Sequence, residues 1–302
     1  MINYIKRKDL DVLRYNACIE NAVQSRVYGF SWYLDIVADH WDVLVLNDYE
    51  AVMPIPWRKK YGIKYVYQPL WILEIGVFSC DINLNLEPFL NSLFDKFKFV
   101  ECRLNSKNTF NSNKEYLLEK QFQLLSIVED YETIFNQFRK DRKKDLRKAV
   151  HLNLIEKWDD KSDKLITLFK NNVGKRTPNI LDNDYVILEK LIHSCLEKKI
   201  GEVLSIYDKD NYLVAAGFFL KHKDAVTILM SSTDFENRSN GANTFLIDRA
   251  ILKYQKNFKT FNFGGSSMQT IAKYFLSFGA ETVTYQYLKY HKLPFLFKLF
   301  KK

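Results

Sequence analysis

Short apolar runs separated by turn-forming residues recur along the chain, and twice they fall in the same order. Asp42-Val43-Leu44-Val45-Leu46 reads as a strand, Asn47-Asp48 as a turn, and Ala51-Val52-Met53-Pro54-Ile55-Pro56 as the returning strand. Far downstream, Glu202-Val203-Leu204-Ser205-Ile206-Tyr207 reads as a strand, Asp208-Lys209-Asp210-Asn211 as its turn, and Leu213 to Leu220 as the return. Asn and Asp suit such turns because they tolerate left-handed dihedrals and bond their own backbone. Each hairpin follows a helical segment. Two copies of a helix-then-hairpin unit predict two related α/β lobes, a first at 1–128 and a second at 129–302.

The second lobe continues with a strand over Val226–Met230, a helix over Ala242–Tyr254 and a strand over Thr260–Phe263. A helix over Ile271–Phe278 follows, ended by Gly279 in the position where helices turn left-handed. Val283 to Tyr287 then alternates like a half-buried strand. In the first lobe, Asn and Ser dominate Asn105 to Glu115, which reads as a loop.

Between the lobes a basic helix is expected over 132–150. Its section Phe138–Lys148 carries seven basic and two acidic residues. At helical spacing Arg139, Lys143 and Arg147 form one column, and Lys140, Lys144 and Lys148 the next. Such a face is either simply solvated or a phosphate-binding surface. A second anion site is suggested by Arg238-Ser239-Asn240-Gly241-Ala242, between a strand and a helix. The first N–H groups of a helix lack intrahelical partners and sit at the positive end of its dipole. Gly241 there would let a ligand approach the backbone closely.

Composition narrows the classes. The 302 residues suffice for one large or two ordinary domains, and 47% hydrophobic content supports a sizeable core. Ten Gly and six Pro are too few for a turn-dense all-β sandwich. A net charge of +9 favours anionic partners such as nucleotides, tRNA or a membrane face. The four cysteines are scattered and the five histidines form no cluster, so neither a metal nor a disulfide framework is expected. The start lacks the apolar core of a signal peptide, and a cytoplasmic location is expected.

Three places together resemble the FemAB-like branch of the GNAT acyltransferase superfamily. They are the basic run ending Leu146-Arg147-Lys148-Ala149, the turn Arg238 to Ala242, and Phe261-Asn262-Phe263-Gly264-Gly265-Ser266 followed by the helix ending at Gly279. Tyr67-Gln68-Pro69 with Gly76-Val77-Phe78 is similar to the family's first-lobe strand and turn. One departure is Asn243, where the turn usually has a small residue. Another is Asp159 to Lys199, which lacks the heptad hairpin of the tRNA-dependent members. The resemblance implies an α/β (α+β) fold of two tandem GNAT-like lobes, each a mixed, mostly antiparallel sheet flanked by helices. It implies transfer of an acyl group from acyl-CoA, or of an aminoacyl group from aminoacyl-tRNA, to an amine of a cell-envelope or polysaccharide precursor. That acceptor would be nucleotide- or lipid-linked, at the inner membrane surface in the second case. DNA is not expected as a partner.

Amide formation needs a deprotonated amine, a polarised carbonyl and close positioning, not a protein nucleophile. Backbone N–H groups of Ile228–Ser232 are the expected oxyanion donors, with Ser231 beside them. Glu74 interrupts an apolar run and is the candidate base, on the expectation that burial raises its pKa. Arg238, Asn240, Gly241 and Ala242 are expected to hold the donor. Arg139, Lys143, Arg147 and Lys175 are expected at the acceptor. The competing expectation is a non-catalytic module of degenerate GNAT fold that binds a nucleotide-sugar or RNA. The tail from His291 to Lys302, which mixes aromatics and cations, either packs on the second lobe or touches an anionic membrane.

Overall fold

The computed structural model describes residues 1–177, 179–236, 238–264 and 268–293. The expectations for Gly265, Ser266 and the end of the tail lie outside them, as does that for the Arg238 side chain. Contacts divide the chain into two compact units. One is Met1–Lys120 with the described part of Thr284–Lys302; the other is Gln121–Val283.

The first unit contains β1 (Ile2–Lys6), α1 (Val12–Asn21), α2 (Ser31–Val37), β2 (His40–Leu46), β3 (Ala51–Lys60), β4 (Ile63–Val66), β5 (Phe78–Ser79), α3 (Glu87–Lys96) and β6 (Phe99–Arg103). Its strands run in the order β1-β2-β3-β4-β6, with β5 on β3. The expected hairpin is β2–β3, and Asn47 in its turn takes φ 46. The stretch 105–115 is a loop in large part, but a packed one. Asn105, Asn108 and Phe110 are buried, and Asn108 accepts the Val77 N–H at 2.7 Å. Gly76 is required beside it: at φ 148, a Cβ there would lie 2.1 Å from the Asn108 side-chain oxygen.

The second unit contains the end of β7 (Leu117–Ser126), then α4 (Tyr131–Asn136), α5 (Lys140–His151), β8 (Ile155–Trp158), α6 (Ser162–Asn171), α7 (Asp182–Glu197), β9 (Gly201–Tyr207), β10 (Leu213–His222), β11 (Ala225–Thr233), α8 (Ala242–Tyr254), β12 (Thr260–Asn262) and α9 (Gln269–Leu276). Its sheet runs β7-β12-β11-β10-β9-β8 and is antiparallel except for β11–β12. The hairpin β9–β10 turns through Asn211 at φ 64. One face of this sheet is closed by an apolar cluster that includes Ile134, Phe138, Leu146, Leu246 and Phe261.

Two expectations change. The last strand, β13 (Glu281–His291), was read with the second lobe, but Tyr287–His291 pairs with β6 and joins the first unit. The segment 132–150 is two helices rather than one. Phe138 turns into the apolar cluster and Arg139 is extended at φ −63, ψ 157, its N–H donated to the Ser277 carbonyl at 2.9 Å.

Candidate active site

β11 and β12 begin as a parallel pair, Ala225 with Thr260, Val226 with Phe261 and Thr227 with Asn262. There β12 ends, while β11 runs on to Thr233 paired, among the described residues, to β10. The parallel pairing therefore stops after Thr227, and among the described residues β12 does not continue along Ile228–Thr233 of β11. A β-bulge falls in the same stretch. Phe218 opposes Met230 and Phe219 opposes Ile228, so Leu229 is the extra residue. A bulge leaves one residue out of the ladder and re-aims the residues after it.

Here the bulge has a definite consequence. Ile228 and Ser231 are three apart and would face opposite ways in a regular strand. Ser231 instead pairs with Gly217, whose missing Cβ would lie 3.3 Å from Leu246 of α8. Ile228 belongs to the same α8-facing cluster. Ser231 therefore shares the α8 face with Ile228. Ser232 goes the other way and donates to the Leu168 carbonyl of α6 at 3.4 Å.

The turn before α8 is built as the sequence suggests, but its glycine has another use. Arg238–Asn240 forms a short 3-10 turn, and Gly241 caps α8 at φ 81. A Cβ on Gly241 would stand 2.4 Å from the Asp145 carbonyl oxygen of α5. The bare side of Gly241 is thus filled by a neighbouring helix, not open to a ligand. The Ala242 N–H is taken by the Asn240 side chain at 2.9 Å, and Ala242 is buried. Around the same helix end lies a polar cluster absent from the sequence expectations. Thr244 donates to Asp145 at 3.0 Å, Arg142 pairs with Asp145 at 2.9 Å, and Asn243 donates to the Tyr274 hydroxyl at 2.9 Å. Burial pushes the Tyr274 hydroxyl up to about 12, with the Arg142 guanidinium 4.6 Å above its ring. Asn243, the departure from the family pattern, is what reaches Tyr274.

The basic column separates on α5. Arg139 pairs with Asp141 at 3.4 Å, and Lys143 donates to the Asn136 carbonyl at 3.1 Å. Lys140, Lys144, Arg147 and Lys148 are exposed. Lys143 and Arg147 remain one turn apart on α5, while Arg139, also exposed, stands at its N-cap.

Lys175 lines a cavity of about 830 Å³ between α6, the β9–β10 turn and the chain just after β11. One wall carries a tight polar network. Asp160 accepts from the Tyr207 hydroxyl, and Lys164 donates to that hydroxyl at 2.8 Å. Burial pushes the Asp160 carboxyl up, but Tyr207, the Lys161 backbone N–H and Lys157 outweigh it and hold it at about 2. A carboxylate lowered on folding stabilises the protein above its ordinary value of 3.8 and loses that stabilisation as pH falls to about 2. Acid unfolding followed by circular dichroism should show this loss across that interval, and Asp160→Asn should flatten it. An equally steep acid limb in the variant would contradict the network's role.

Glu74 lies in the first unit. Its carboxylate is buried, bound to the Arg26 guanidinium at 2.5 Å and to the Ser106 N–H at 3.3 Å. The carboxylate is therefore held in an ion pair and a backbone hydrogen bond rather than standing alone in an apolar pocket. Among the described residues, no three His, Cys, Asp or Glu side chains gather to hold a metal, and no helix is long and apolar enough to cross a membrane.

Residues 136–275 match the family model described as an acetyltransferase (GNAT) domain. No curated protein matches the chain by sequence. Among solved structures it is similar to FemX, at 10% identity and TM-score 0.66, over 95% of this chain and 97% of that one. It is also similar to the C-terminal domain of a putative lysylphosphatidylglycerol synthetase from Agrobacterium fabrum, at 10% identity and TM-score 0.57, over 93% and 92%. A tandem GNAT protein from the clavulanic acid biosynthesis pathway aligns over 97% and 99%, at 8% identity and TM-score 0.55. Residues 136–275 thus carry a GNAT domain by the family model, and the chain has the fold shared by FemX and a tandem GNAT protein.

Proposed function

We propose that this protein transfers an aminoacyl or acyl group to an amine of a cell-envelope or polysaccharide precursor. The observation that carries the reading is the end of the β11–β12 pairing after Thr227, with the Leu229 bulge immediately beyond it on β11. A donor lying along that stretch would place its carbonyl against backbone N–H groups of β11. The acceptor nitrogen attacks the carbonyl carbon and the oxygen becomes an oxyanion held by those N–H groups. The ester or thioester bond then breaks, and the leaving oxygen or sulfur takes the proton the amine gives up. Ser231 places a hydroxyl on the α8 face of the same strand. One oxyanion donor is typically worth about 10²–10³ in rate.

Two observations favour aminoacyl-tRNA over acyl-CoA as donor. The Asp145 carbonyl fills the bare side of Gly241, and its carboxylate is held at the same helix end, where both oppose a diphosphate. The exposed cations Lys140, Lys144, Arg147 and Lys148 offer a face for a phosphate backbone instead. The lysylphosphatidylglycerol synthetase neighbour is in keeping with this choice.

The test is amide formation from labelled aminoacyl-tRNA and, separately, acetyl-CoA, with amine acceptors. Product from aminoacyl-tRNA is expected, weakening steeply with salt and lost when Lys144, Arg147 and Lys148 are changed to Ala. Product from acetyl-CoA alone would overturn the donor assignment. Salt-sensitive RNA binding with no product from either donor would favour the non-catalytic module, for which the same basic helix speaks.

A further inference from the structure

The cavity beside α6 is acidic in a basic protein. The chain carries +9, yet the cavity walls present Asp163, Asp234 and Glu236 against Lys164 and Lys175. Lys164 is already engaged, donating to Tyr207 at 2.8 Å and standing 3.8 Å from Asp160. Three lining carboxylates against two lining ammoniums, with Arg176 4.0 Å over the Phe235 ring, leave places for a cationic group beside Asp163, Asp234 or Glu236.

The rest of the lining narrows the ligand. Asn171 and Asn211 bring exposed amides, each able to donate and accept toward hydroxyl groups. Tyr212 stands at the rim 70% exposed, and its ring offers a flat apolar surface. The volume of about 830 Å³ falls in the range of about 300–1,000 Å³ usual for small-molecule sites. An α-amino acid would bring its own carboxylate against three others. A polyamine would leave the amides without hydroxyl partners. A sugar bearing an amino group satisfies all three features: ammonium toward the carboxylates, hydroxyls toward the amides, ring face on Tyr212.

The cavity also adjoins β11, the strand on which transfer is proposed. Asp234, Phe235 and Glu236 follow directly on β11, and Leu168 in its wall accepts from Ser232 of that strand. We infer that this cavity is the acceptor subsite and takes an amino sugar, or a saccharide ending in one. The role as acceptor rests on the transferase reading; the binding does not.

Titration calorimetry on the full chain tests it, with glucosamine as ligand and glucose and N-acetylglucosamine as matched controls. Glucosamine should bind, and each control should bind about tenfold or more weakly, the loss expected when a charged hydrogen-bond partner is removed. Glu236→Gln and Tyr212→Ala should each weaken glucosamine binding at unchanged unfolding temperature, because both residues are exposed. Glucosamine binding no tighter than glucose, or indifferent to both substitutions, would overturn the inference. Glucosamine binding with no amide formation from any donor would leave the cavity assignment standing and overturn the transferase reading. Amide formation on other amines with no sugar binding would do the reverse.

Discussion

Gly241→Ala should destabilise the protein by about 2–4 kcal/mol, combining a left-handed backbone with an overpacked contact. The residue sits at φ 81, and its new methyl would stand 2.4 Å from the Asp145 carbonyl oxygen and 3.1 Å from the carbon. Both atoms are backbone within α5, so no rotamer change relieves the clash. Relief requires α5 and α8 to separate, which would break the Thr244–Asp145 and Arg142–Asp145 bonds. With a fall of roughly 2–4 °C per kcal/mol for a domain of this size, the unfolding temperature should drop by roughly 5–15 °C. A differential scanning calorimetry trace decides the matter. If Gly241 were kept for ligand approach alone, the variant would unfold at the parent temperature and lose only donor binding.

The hairpins and their order were legible because they depend on local chemistry. Asn47 and Asn211 mark turns that the structure holds at φ 46 and 64. The strand, turn and helix around Gly241 were legible for the same reason. What stayed hidden depends on distant partners. Glu74 stands out as a carboxylate in an apolar run, but its partner Arg26 lies 48 positions away, and the run itself does not announce that pairing. Alternation in Val283–Tyr287 shows which side chains share a face, not which sheet the strand joins, so its pairing with β6 could not be read. The basic column looked uniform until Phe138 turned inward and split the helix. Gly241 reads in the sequence as a place where a ligand approaches the backbone, and only the position of α5 reveals that the Asp145 carbonyl stands there. The bulge did leave a trace. Ile228-Leu229-Met230 is an unbroken apolar triplet in a strand whose burial otherwise alternates, a pattern that a bulge and a doubly buried strand share.

Leu229 provides the most direct test of the central claim. Phe218 and Phe219 are consecutive and oppose Met230 and Ile228, so a variant lacking Leu229 keeps every pairing to β10 and every side-chain face. It loses the bulge that re-aims β11 beyond the end of its pairing with β12, along with one buried side chain. The measurement is the single-turnover rate of amide formation at saturating donor and acceptor, on protein shown by circular dichroism to be folded. The rate should fall by about 10²–10³, the usual loss of an oxyanion donor, with acceptor affinity unchanged. A folded variant that forms amide at the parent rate would contradict transfer at this strand.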